Sequence, residues 1–353
     1  MYRINYFGKV GYFEHVEQAC DFAYQIHLSK TDDEILNEFR IDPDKAKRSF
    51  LLLKKLDTKR IFRNFFIFTS HIGVECANYF MNFRYKLNTI KKKSVLEGLR
   101  NERIFKYCVK SYYKINKTHD FDGARAILNT TNIRGGLQEL SNYPPSTAKS
   151  LYERYCPKGG HILDISAGFG GRLTAAMSSN NNYSYTGVDP STNAISNLNR
   201  LIDFINCKDR AKVIELPFEE SDKELKDNFY DFIFTSPPYF NKEIYSDEPT
   251  QSCNKFKELN AWVNGFLQKS FDIAFKKLKR NTYMLINIAD IKNGKEVIKL
   301  GEYCIKCAEK AGFTYDGFDK MMIHNRFKSL KASNRPKGKE SVNYEPIYRF
   351  KKS

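Results

Sequence analysis

Two short segments in the second half of the chain carry residues suited to holding a nucleoside. The first is HILDISAGFGGRL, in which an apolar run ends at Asp164 and a loop of small residues then opens a helix. Glycines permit the tight turn and the close approach of backbone to ligand that such a loop needs. We expect Ser166, Gly168 and Gly170 to lie against the ligand.

The second segment, YTGVDPS, places Asp189 nineteen residues after Gly170, where the next strand should end. A carboxylate at this position can accept hydrogen bonds from both ribose hydroxyls of an adenosine. The alternative is that Asp189 only caps the helix that follows. Together the two segments predict a nucleoside cofactor, bound at Asp189 and the adjoining Pro190.

The glycine loop favours S-adenosylmethionine over a dinucleotide. A dinucleotide loop has the pattern GxGxxG, and its third glycine is missing here because GFGG continues with Arg172 and Leu173. Asp164 would repel a pyrophosphate but suits the ammonium group of a methionine moiety. The predicted cofactor is therefore S-adenosylmethionine, with S-adenosylhomocysteine as its product.

A third motif, YDFIFTSPPYF, ends a predicted strand in Ser236, Pro237, Pro238 and Tyr239. The prolines fix the loop, and their missing N–H groups leave its carbonyls without competing local donors. A rigid carbonyl and a nearby oxygen can accept both hydrogens of an amino group and so aim the nitrogen lone pair at a methyl donor. Tyr239 can stack on the base, which an enzyme acting on a duplex must first flip out. Without the upstream motifs, the same four residues would be an ordinary Pro-Pro turn.

With these three motifs in this order, the chain resembles the amino-methyltransferase branch of DNA methyltransferases, which carry (D/N/S)PP(Y/F). The resemblance covers roughly Asn142 to Lys352, with the motifs in the unpermuted order. It implies a Rossmann-like class I methyltransferase sheet, mostly parallel with a C-terminal antiparallel hairpin, and a catalytic role for the SPPY loop. It also implies that NYPPST closes over the methionine end of the cofactor and that the end of the third strand flanks the adenine. The cofactor-binding residues carried over in this way are Tyr143, Pro145, Thr147, Pro217 and Phe218.

The resemblance also bears on the target. Ser-Pro-Pro-Tyr is commoner among N4-cytosine enzymes, whereas Asp-Pro-Pro-Tyr typifies N6-adenine enzymes, so cytosine is favoured and adenine comes next. Only about a hundred residues follow Tyr239, so we expect the first 135 residues to recognise the target. Site-specific DNA methylation with a restriction nuclease as a candidate partner is implied, in the cytoplasm of a bacterial or phage-infected cell and associated with the nucleoid.

The elements that position these motifs follow from an alternation of β-rich runs and helices, which is typical of a parallel sheet. The predicted strands are His161–Ile165, Tyr183–Val188, Lys212–Leu216, Tyr230–Thr235 and Tyr283–Ala289, with Phe313–Met322 and Pro346–Phe350 as a closing hairpin. We place the domain boundary at Gly135-Gly136. Residues 136–353 then form the methyltransferase domain, and residues 1–135 form a mainly helical, basic, DNA-binding region.

Within that first region, Thr31 opens a capping box and Asp42-Pro43 separates two short helices. This arrangement fits a helix-turn-helix as well as any small helical bundle. From Arg84 to Lys117 there are eleven basic residues, two acids and several aromatics. Such a segment suits phosphate contacts, although a solvated helix face looks the same. The residues predicted to bind DNA are Lys91, Lys92, Lys93, Arg100 and Arg103.

Composition agrees with a polyanionic partner, since the net charge is +17, with 58 basic against 41 acidic residues. No stretch approaches the roughly 20 apolar residues of a membrane span, and the first residues do not resemble a signal peptide. We therefore expect a cytoplasmic protein without membrane contact. Cys304 and Cys307 form the one CxxC, and no further cysteine or histidine pair completes a zinc site, so we expect no metal.

Two other interpretations remain open at this point. An RNA methyltransferase acting on a guanine or adenine amino group of tRNA or rRNA would share the fold, a similar loop and the basic surface. A catalytically silent DNA-binding subunit would share the charge, but would have no need of the intact cofactor and SPPY motifs. The oligomeric state does not follow from the sequence.

Overall fold

Two units, each with its own hydrophobic core, make up the described part of the protein. The structure is a computed structural model and describes residues 1–88, 93–131, 137, 140–240, 248–293, 296–322 and 344–353. The first unit comprises Met1–Asp42 and Tyr79–Ser141, and the second comprises Pro43–Asn78, Asn142–Asn241 and Glu248–Ser353. No helix in these residues is long and apolar enough to cross a membrane.

The strands, in chain order, are β1 (Tyr2–Tyr6), β2 (Lys9–Phe13), β3 (Phe62–Arg63), β4 (Phe66–Phe68), β5 (Asp120–Asp122), β6 (Gly160–Asp164), β7 (Tyr183–Asp189), β8 (Ala211–Glu215), β9 (Tyr230–Thr235), β10 (Leu278–Asn287), β11 (Ile291–Asn293), β12 (Glu296–Ile298), β13 (Thr314–Met322) and β14 (Tyr344–Lys352). The helices are α1 (Val16–Leu28), α2 (Asp32–Glu38), α3 (Pro43–Lys54), α4 (Val74–Ala77), α5 (Val95–Leu99), α6 (Glu102–Asn116), α7 (Leu128–Thr131), α8 (Pro145–Tyr155), α9 (Gly171–Ser178), α10 (Thr192–Phe204), α11 (Ser252–Lys255), α12 (Leu259–Trp262), α13 (Lys269–Lys277) and α14 (Leu300–Ala311). A π-helical stretch over Val263–Gln268 joins α12 to α13.

A nine-stranded sheet in the order β3-β4-β13-β14-β10-β9-β6-β7-β8 organises the second unit. The strands β10, β9, β6, β7 and β8 are parallel, and β14 pairs antiparallel with both β10 and β13. This is the predicted Rossmann-like methyltransferase sheet with its C-terminal antiparallel hairpin, and the prediction is confirmed. All seven predicted strands are present, with ends shifted by a few residues.

The core of the sheet follows from the residue types of its central strands. In β9, the residues Phe232, Ile233 and Phe234 are all fully buried, because helices cover both faces of a parallel sheet. Trp262, Phe266 and Phe271, from the segment between β9 and β10, lie in the buried core of the same unit.

The edge strands β3 and β4 were not predicted, because runs of two and three residues are too short to show a period. They form here because β13 offers a free edge, along which β4 pairs in parallel. Residues 43–78 accordingly belong to the sheet unit, and α3 packs against α4 and α9. The helices of the possible helix-turn-helix, α2 and α3, thus fall in different units. The single domain boundary near residue 135 stays a prediction.

The first unit is mainly helical, with a small sheet in the order β2-β1-β5 that the sequence did not reveal. The predicted capping box at Thr31 is present: its hydroxyl accepts from the Glu34 N–H at 3.2 Å, and the Glu34 carboxylate accepts from the Thr31 N–H at 2.8 Å. In the core, the Tyr6 hydroxyl and His27 Nδ1 are 2.9 Å apart, and burial lowers the pKa of His27 to about 4.

Candidate active site

Three adjacent parallel strands bring the predicted motifs to one edge of the sheet. β6 pairs with β7 on one side and with β9 on the other. The carboxyl ends of parallel strands meet at the same edge, and ligands of open α/β sheets bind outside that edge. Asp164 ends β6, Asp189 ends β7, and the SPPY loop directly follows Thr235 at the end of β9.

Asp189 is held by backbone donors and remains partly exposed at this edge. Its Oδ2 accepts from the Gly168 N–H at 2.8 Å and its Oδ1 from the Ser191 N–H at 3.0 Å. Burial raises the pKa of Asp189 to about 6 despite these two hydrogen bonds. The cap of α10 is Ser191, whose hydroxyl accepts from the Ala194 N–H at 3.4 Å. Asp189 therefore has no need to cap the helix, and its oxygens retain lone pairs for a ligand.

The glycine loop turns through the left-handed region at two positions. Gly168 has a φ of +55° and Gly170 a φ of +79°, which favour glycine over any other residue. Among the residues that the structure describes, a Cβ at Gly168 would have one neighbour within 4 Å, the Ser166 carbonyl oxygen at 3.7 Å. The space beside Gly168 and next to the Asp189 carboxylate is therefore open, as a cofactor-binding loop requires.

Asp164 is fully buried, and the chain's own donors occupy its carboxylate. Its Oδ2 accepts from Arg172 Nε and from the Tyr185 hydroxyl, both at 2.7 Å, and its Oδ1 accepts from the Ser166 N–H at 3.2 Å. Burial disfavours the charged form of Arg172, but the attraction to the Asp164 carboxylate favours it more, so the pKa of the guanidinium is raised. A direct contact between Asp164 and a methionine ammonium stays a prediction; in this structure Asp164 anchors Arg172.

Asn142 fastens the NYPPST segment to the glycine loop. Its side chain accepts from the Gly171 N–H at 2.9 Å and donates to the Phe169 carbonyl at 2.6 Å and to Asn78 Oδ1 at 3.0 Å. A Cβ at Gly171 would come within 2.1 Å of the Tyr143 carbonyl oxygen. Gly171 thus serves the close approach of these two segments, which brings the predicted residue Tyr143 beside the loop.

Two buried hydroxyls at this edge fit a polar ligand. Thr147 Oγ1 in the first turn of α8 and Thr235 Oγ1 at the end of β9 are buried, and in the described part of the chain neither has a hydrogen-bond partner. Buried hydroxyls are normally satisfied. Pro145 begins α8, where proline is well suited, and is also buried. Both hydroxyls are therefore available to hydrogen-bond a polar group bound at this edge.

The residues predicted to flank the adenine lie next to Asp189. The Leu216 N–H donates to the Asp189 carbonyl at 3.2 Å, so Pro217 and Phe218 follow immediately beyond the end of β8. Pro217 is buried, and Phe218 packs into the core against Leu163 and Val188. The structure brings these residues together with the cofactor motifs; whether they contact an adenine stays a prediction.

The SPPY loop presents a half-buried tyrosine to the same edge. Pro237 is buried, whereas Ser236, Pro238 and Tyr239 are partly exposed. The Tyr239 hydroxyl donates a hydrogen bond to the Glu345 carboxylate at the start of β14. Burial, and then the charge of Glu345, raises the pKa of Tyr239 well above its ordinary value, so its hydroxyl remains a donor.

The backbone is strained directly after Tyr239. Phe240 has a φ of +52°, which is rare for a residue with a bulky side chain and costs about 1–3 kcal/mol. Its ring is buried and lies 5.8 Å from the ring of Trp262, centroid to centroid. This packing holds the strained turn and fixes the end of the SPPY loop.

Of the residues predicted to bind DNA, Lys91 and Lys92 lie outside the described residues. Lys93 forms an ion pair with Glu97 at 2.8 Å. Arg100 donates to Asp32 at 2.7 Å and to the Lys30 carbonyl at 2.8 Å, so it supports the first unit's own fold. Arg103 is exposed at the start of α6. The DNA-binding role of these residues stays a prediction.

Within the described ranges, no group of three or more His, Cys, Asp and Glu side chains could hold a metal ion. Cys304 and Cys307, the CxxC pair, are buried free thiols on helix α14. Burial raises the pKa of Cys307 to about 11. Both side chains pack in the core of the sheet unit.

Three residues of the site were missed as functional candidates: Asn142, Arg172 and Glu345. Asn142 begins the NYPP segment, Arg172 directly follows the glycine loop, and Glu345 precedes the proline of NYEP. A polar residue directly flanking each motif was the available signal. What each one touches depends on tertiary contacts, which the motif itself does not reveal.

The known proteins that are similar to this chain include methyltransferases. No family profile matches it. It is 32% identical over 121 residues to the type II beta methyltransferase M.BslI of Bacillus sp. (strain NEB-606), an alignment that covers 31% of this chain and 12% of that protein. The chain thus spans about an eighth of the length of this curated relative.

Similar solved structures include two further methyltransferases. One is the 1,6-didemethyltoxoflavin-N1-methyltransferase of Burkholderia thailandensis with bound S-adenosylhomocysteine, at 12% identity and a TM-score of 0.38, covering 58% of this chain and 76% of that one. Another is the precorrin-6y C5,15-methyltransferase of Geobacter metallireducens, at 14% identity and a TM-score of 0.39, covering 59% and 87%.

Proposed function

We propose that this protein transfers a methyl group from S-adenosylmethionine to an exocyclic amino group of a base in DNA. The observation that carries the proposal is the placement of three motifs on the adjoining strands β7, β6 and β9. The Asp189 carboxylate and the glycine loop stand next to the rigid SPPY loop at one edge of the sheet. A nucleoside cofactor that donates a methyl group and an amino group that accepts it would therefore lie next to each other when both are bound at this edge.

The residues of this edge fit the proposed cofactor. Asp189 and Pro190 would hold the ribose, Gly168 and Gly170 would allow the backbone to approach, and Pro217 with Phe218 would flank the adenine. At the methionine end, Thr147 offers a buried hydroxyl without a partner among the described residues, and Ser166, Tyr143 and Pro145 line the same segments. When bound, the cofactor supplies an electrophilic methyl group on a sulfonium.

The chain's own residues would then orient the target. A carbonyl of the proline loop and a nearby oxygen accept the two amino hydrogens, which leaves the nitrogen lone pair directed at the donor. Tyr239 offers its ring face to the flipped base while its hydroxyl is held by Glu345. Such positioning can supply several kcal/mol of the barrier. No strong base is required, because the methylated amine is cationic and loses its proton readily.

The choice of DNA as the substrate has support of its own. It draws on the resemblance of the SPPY loop, on the net charge of +17 and on the named methyltransferase relative. Ser236 favours cytosine N4 over adenine N6 by the same resemblance. A restriction nuclease as partner, and a place in the bacterial cytoplasm at the nucleoid, follow from the resemblance alone.

The test is to sequence modified bases in DNA from cells that express the chain and lack methylation of their own. We expect methylated cytosine or adenine at one recurring sequence, and a smaller methylated fraction of the same sites in cells that express Pro237→Ala. Total tRNA and rRNA from the same cells form the second arm. Methylated RNA with unmodified DNA would replace the proposed substrate by RNA, and no methylation in either would remove the proposed activity.

A further inference from the structure

Three aromatic rings stand exposed on the outer strands of the sheet unit. Phe66 is 37% exposed, Phe68 43% and Tyr344 39%, while Ile67 between the two phenylalanines is fully buried. In the sheet register, Phe68 lies beside Met322, which in turn lies beside Tyr344. Side chains at paired and alternate positions share a face of a sheet. The rings therefore form one continuous surface.

A lysine lies between these rings. Lys320 Nζ is 5.3 Å from the centroid of the Phe66 ring and 5.0 Å from that of Tyr344. The Phe318 ring stacks on that of Tyr344, with 6.0 Å between the centroids and an angle of 16° between the rings. We call Phe66, Phe68, Phe318, Lys320 and Tyr344 the aromatic edge. Partly exposed rings around a cation match the bases and phosphates of a nucleic-acid strand.

The aromatic edge lies at the same end of the sheet as the SPPY loop. β4 runs parallel to β13, and β13 is antiparallel to β14, which is antiparallel to β10. The carboxyl ends of β4 and β13 and the start of β14 therefore share the edge at which β9 ends. Tyr344 directly precedes Glu345, which accepts the hydrogen bond from Tyr239. Successive residues of a strand point to opposite faces, so the aromatic edge and the Glu345 carboxylate lie on the two sides of the same strand end, one residue apart.

We propose that the aromatic edge binds an unpaired stretch of the DNA strand that carries the target base. Bases within a duplex bury their faces against each other, so exposed rings gain stacking only from bases that have left the duplex. Lys320 would lie against a phosphate between two such bases. An apolar protein partner fits less well, because docking would bury the Lys320 ammonium. This inference rests on the proposed function and names where its substrate lies.

The experiment compares two fluorescent probes of about twelve nucleotides, an oligothymidylate and an abasic strand with the same phosphates. The test variant is the double substitution Phe66→Leu and Phe68→Leu, which keeps apolar bulk and removes the rings. The matched control is Tyr12→Leu, since Tyr12 is 61% exposed but belongs to the first unit. We expect the double variant to bind the oligothymidylate about tenfold or more weakly, to bind the abasic strand as before, and the control to match the wild type.

Unchanged oligothymidylate binding in the double variant would overturn the inference, and so would an equal loss on both probes. The inference would also be overturned if a uridine strand bound the wild type more tightly than the oligothymidylate did and lost more affinity in the double variant. That result would assign the surface to RNA. Methylation of the target by the wild type is measured in parallel. If the double variant binds the oligothymidylate more weakly but the wild type methylates no DNA, the surface binds single strands and the proposed function is wrong. If the wild type methylates DNA but the double variant binds as tightly as the wild type, the proposed function stands and this inference is wrong.

Discussion

Tyr239 and Glu345 lie 106 positions apart in the chain, and the Tyr239 hydroxyl donates a hydrogen bond to the Glu345 carboxylate. This bond joins the loop after β9 to the beginning of β14. Burial, and then the charge of Glu345, raise the pKa of Tyr239 well above its ordinary value, so its hydroxyl remains a hydrogen-bond donor over the ordinary pH range. The bond fixes one end of the ring that we propose to stack on the target base.

The first prediction concerns this bond. Glu345→Ala should slow methyl transfer in a single turnover about tenfold, since a hydrogen bond to a charged group is worth about 1.5–3 kcal/mol, and should leave S-adenosylmethionine affinity unchanged. Glu345→Gln keeps an acceptor oxygen and should recover part of the rate. Tyr239→Phe should slow methyl transfer as much as Glu345→Ala does, and the double variant should be no slower than either single variant. Additive losses, or a full rate in Glu345→Ala, would contradict a positioning role.

The second prediction is a pH dependence of cofactor binding. Because burial raises the pKa of Asp189 to about 6, the carboxylate is charged above that pH and gains a proton as the pH falls through it. S-adenosylmethionine affinity by calorimetry should therefore decrease from about pH 7 to about pH 5. Asp189→Ala should bind at least about tenfold more weakly at neutral pH and should lack this dependence. An affinity that is constant over the range in the wild type would place the ribose elsewhere.

The sequence predicts the strands of the parallel sheet well, since residues such as Phe232, Ile233 and Phe234 form a continuous apolar run that is buried on both faces. The contact between Asp189 and Gly168 could also be predicted from the sequence, because consecutive strand ends of a parallel sheet share an edge. The strands β3 and β4 could not be predicted, since they depend on the free edge of β13. Glu345 and Asn142 were missed for a related reason: their partners lie far away in sequence.

The third prediction concerns stability. Arg172→Met leaves the fully buried Asp164 carboxylate without its cation, which should lower the free energy of unfolding by about 3–5 kcal/mol. Adding Asp164→Asn should restore part of this loss. In contrast, Lys208→Met, which removes an exposed ion pair with Asp203, should change it by less than about 0.5 kcal/mol. Urea unfolding of the wild type and the three variants measures these free energies. Equal stability of Arg172→Met and the wild type would show that the buried pair contributes nothing.

The fourth prediction concerns DNA binding by the basic segment of the first unit. Replacing Lys91, Lys92, Lys93 and Arg103 by glutamine should weaken binding to all DNA sequences. The slope of log K against log[salt] should become shallower by about 0.9 for each phosphate that the variant no longer neutralises. Arg100 is kept, because it supports the fold through Asp32. Lys208→Gln, in the second unit, serves as the control and should keep the slope, whereas an unchanged slope in the fourfold variant would mean that this face is only solvated.

The most direct test of methyl transfer by the SPPY loop is a single-turnover assay with labelled S-adenosylmethionine on DNA that contains the identified site. Tyr239→Ala removes the stacking surface, worth about 1–3 kcal/mol per base, and Pro237→Ala loosens the carbonyl that accepts the amino hydrogen. Ser236→Ala should matter less, because a hydroxyl is a modest acceptor. We predict that Tyr239→Ala and Pro237→Ala both slow transfer, Tyr239→Ala by about tenfold or more, with cofactor affinity nearly unchanged. Rates close to the wild type in both variants would place the chemistry elsewhere and contradict the proposed function.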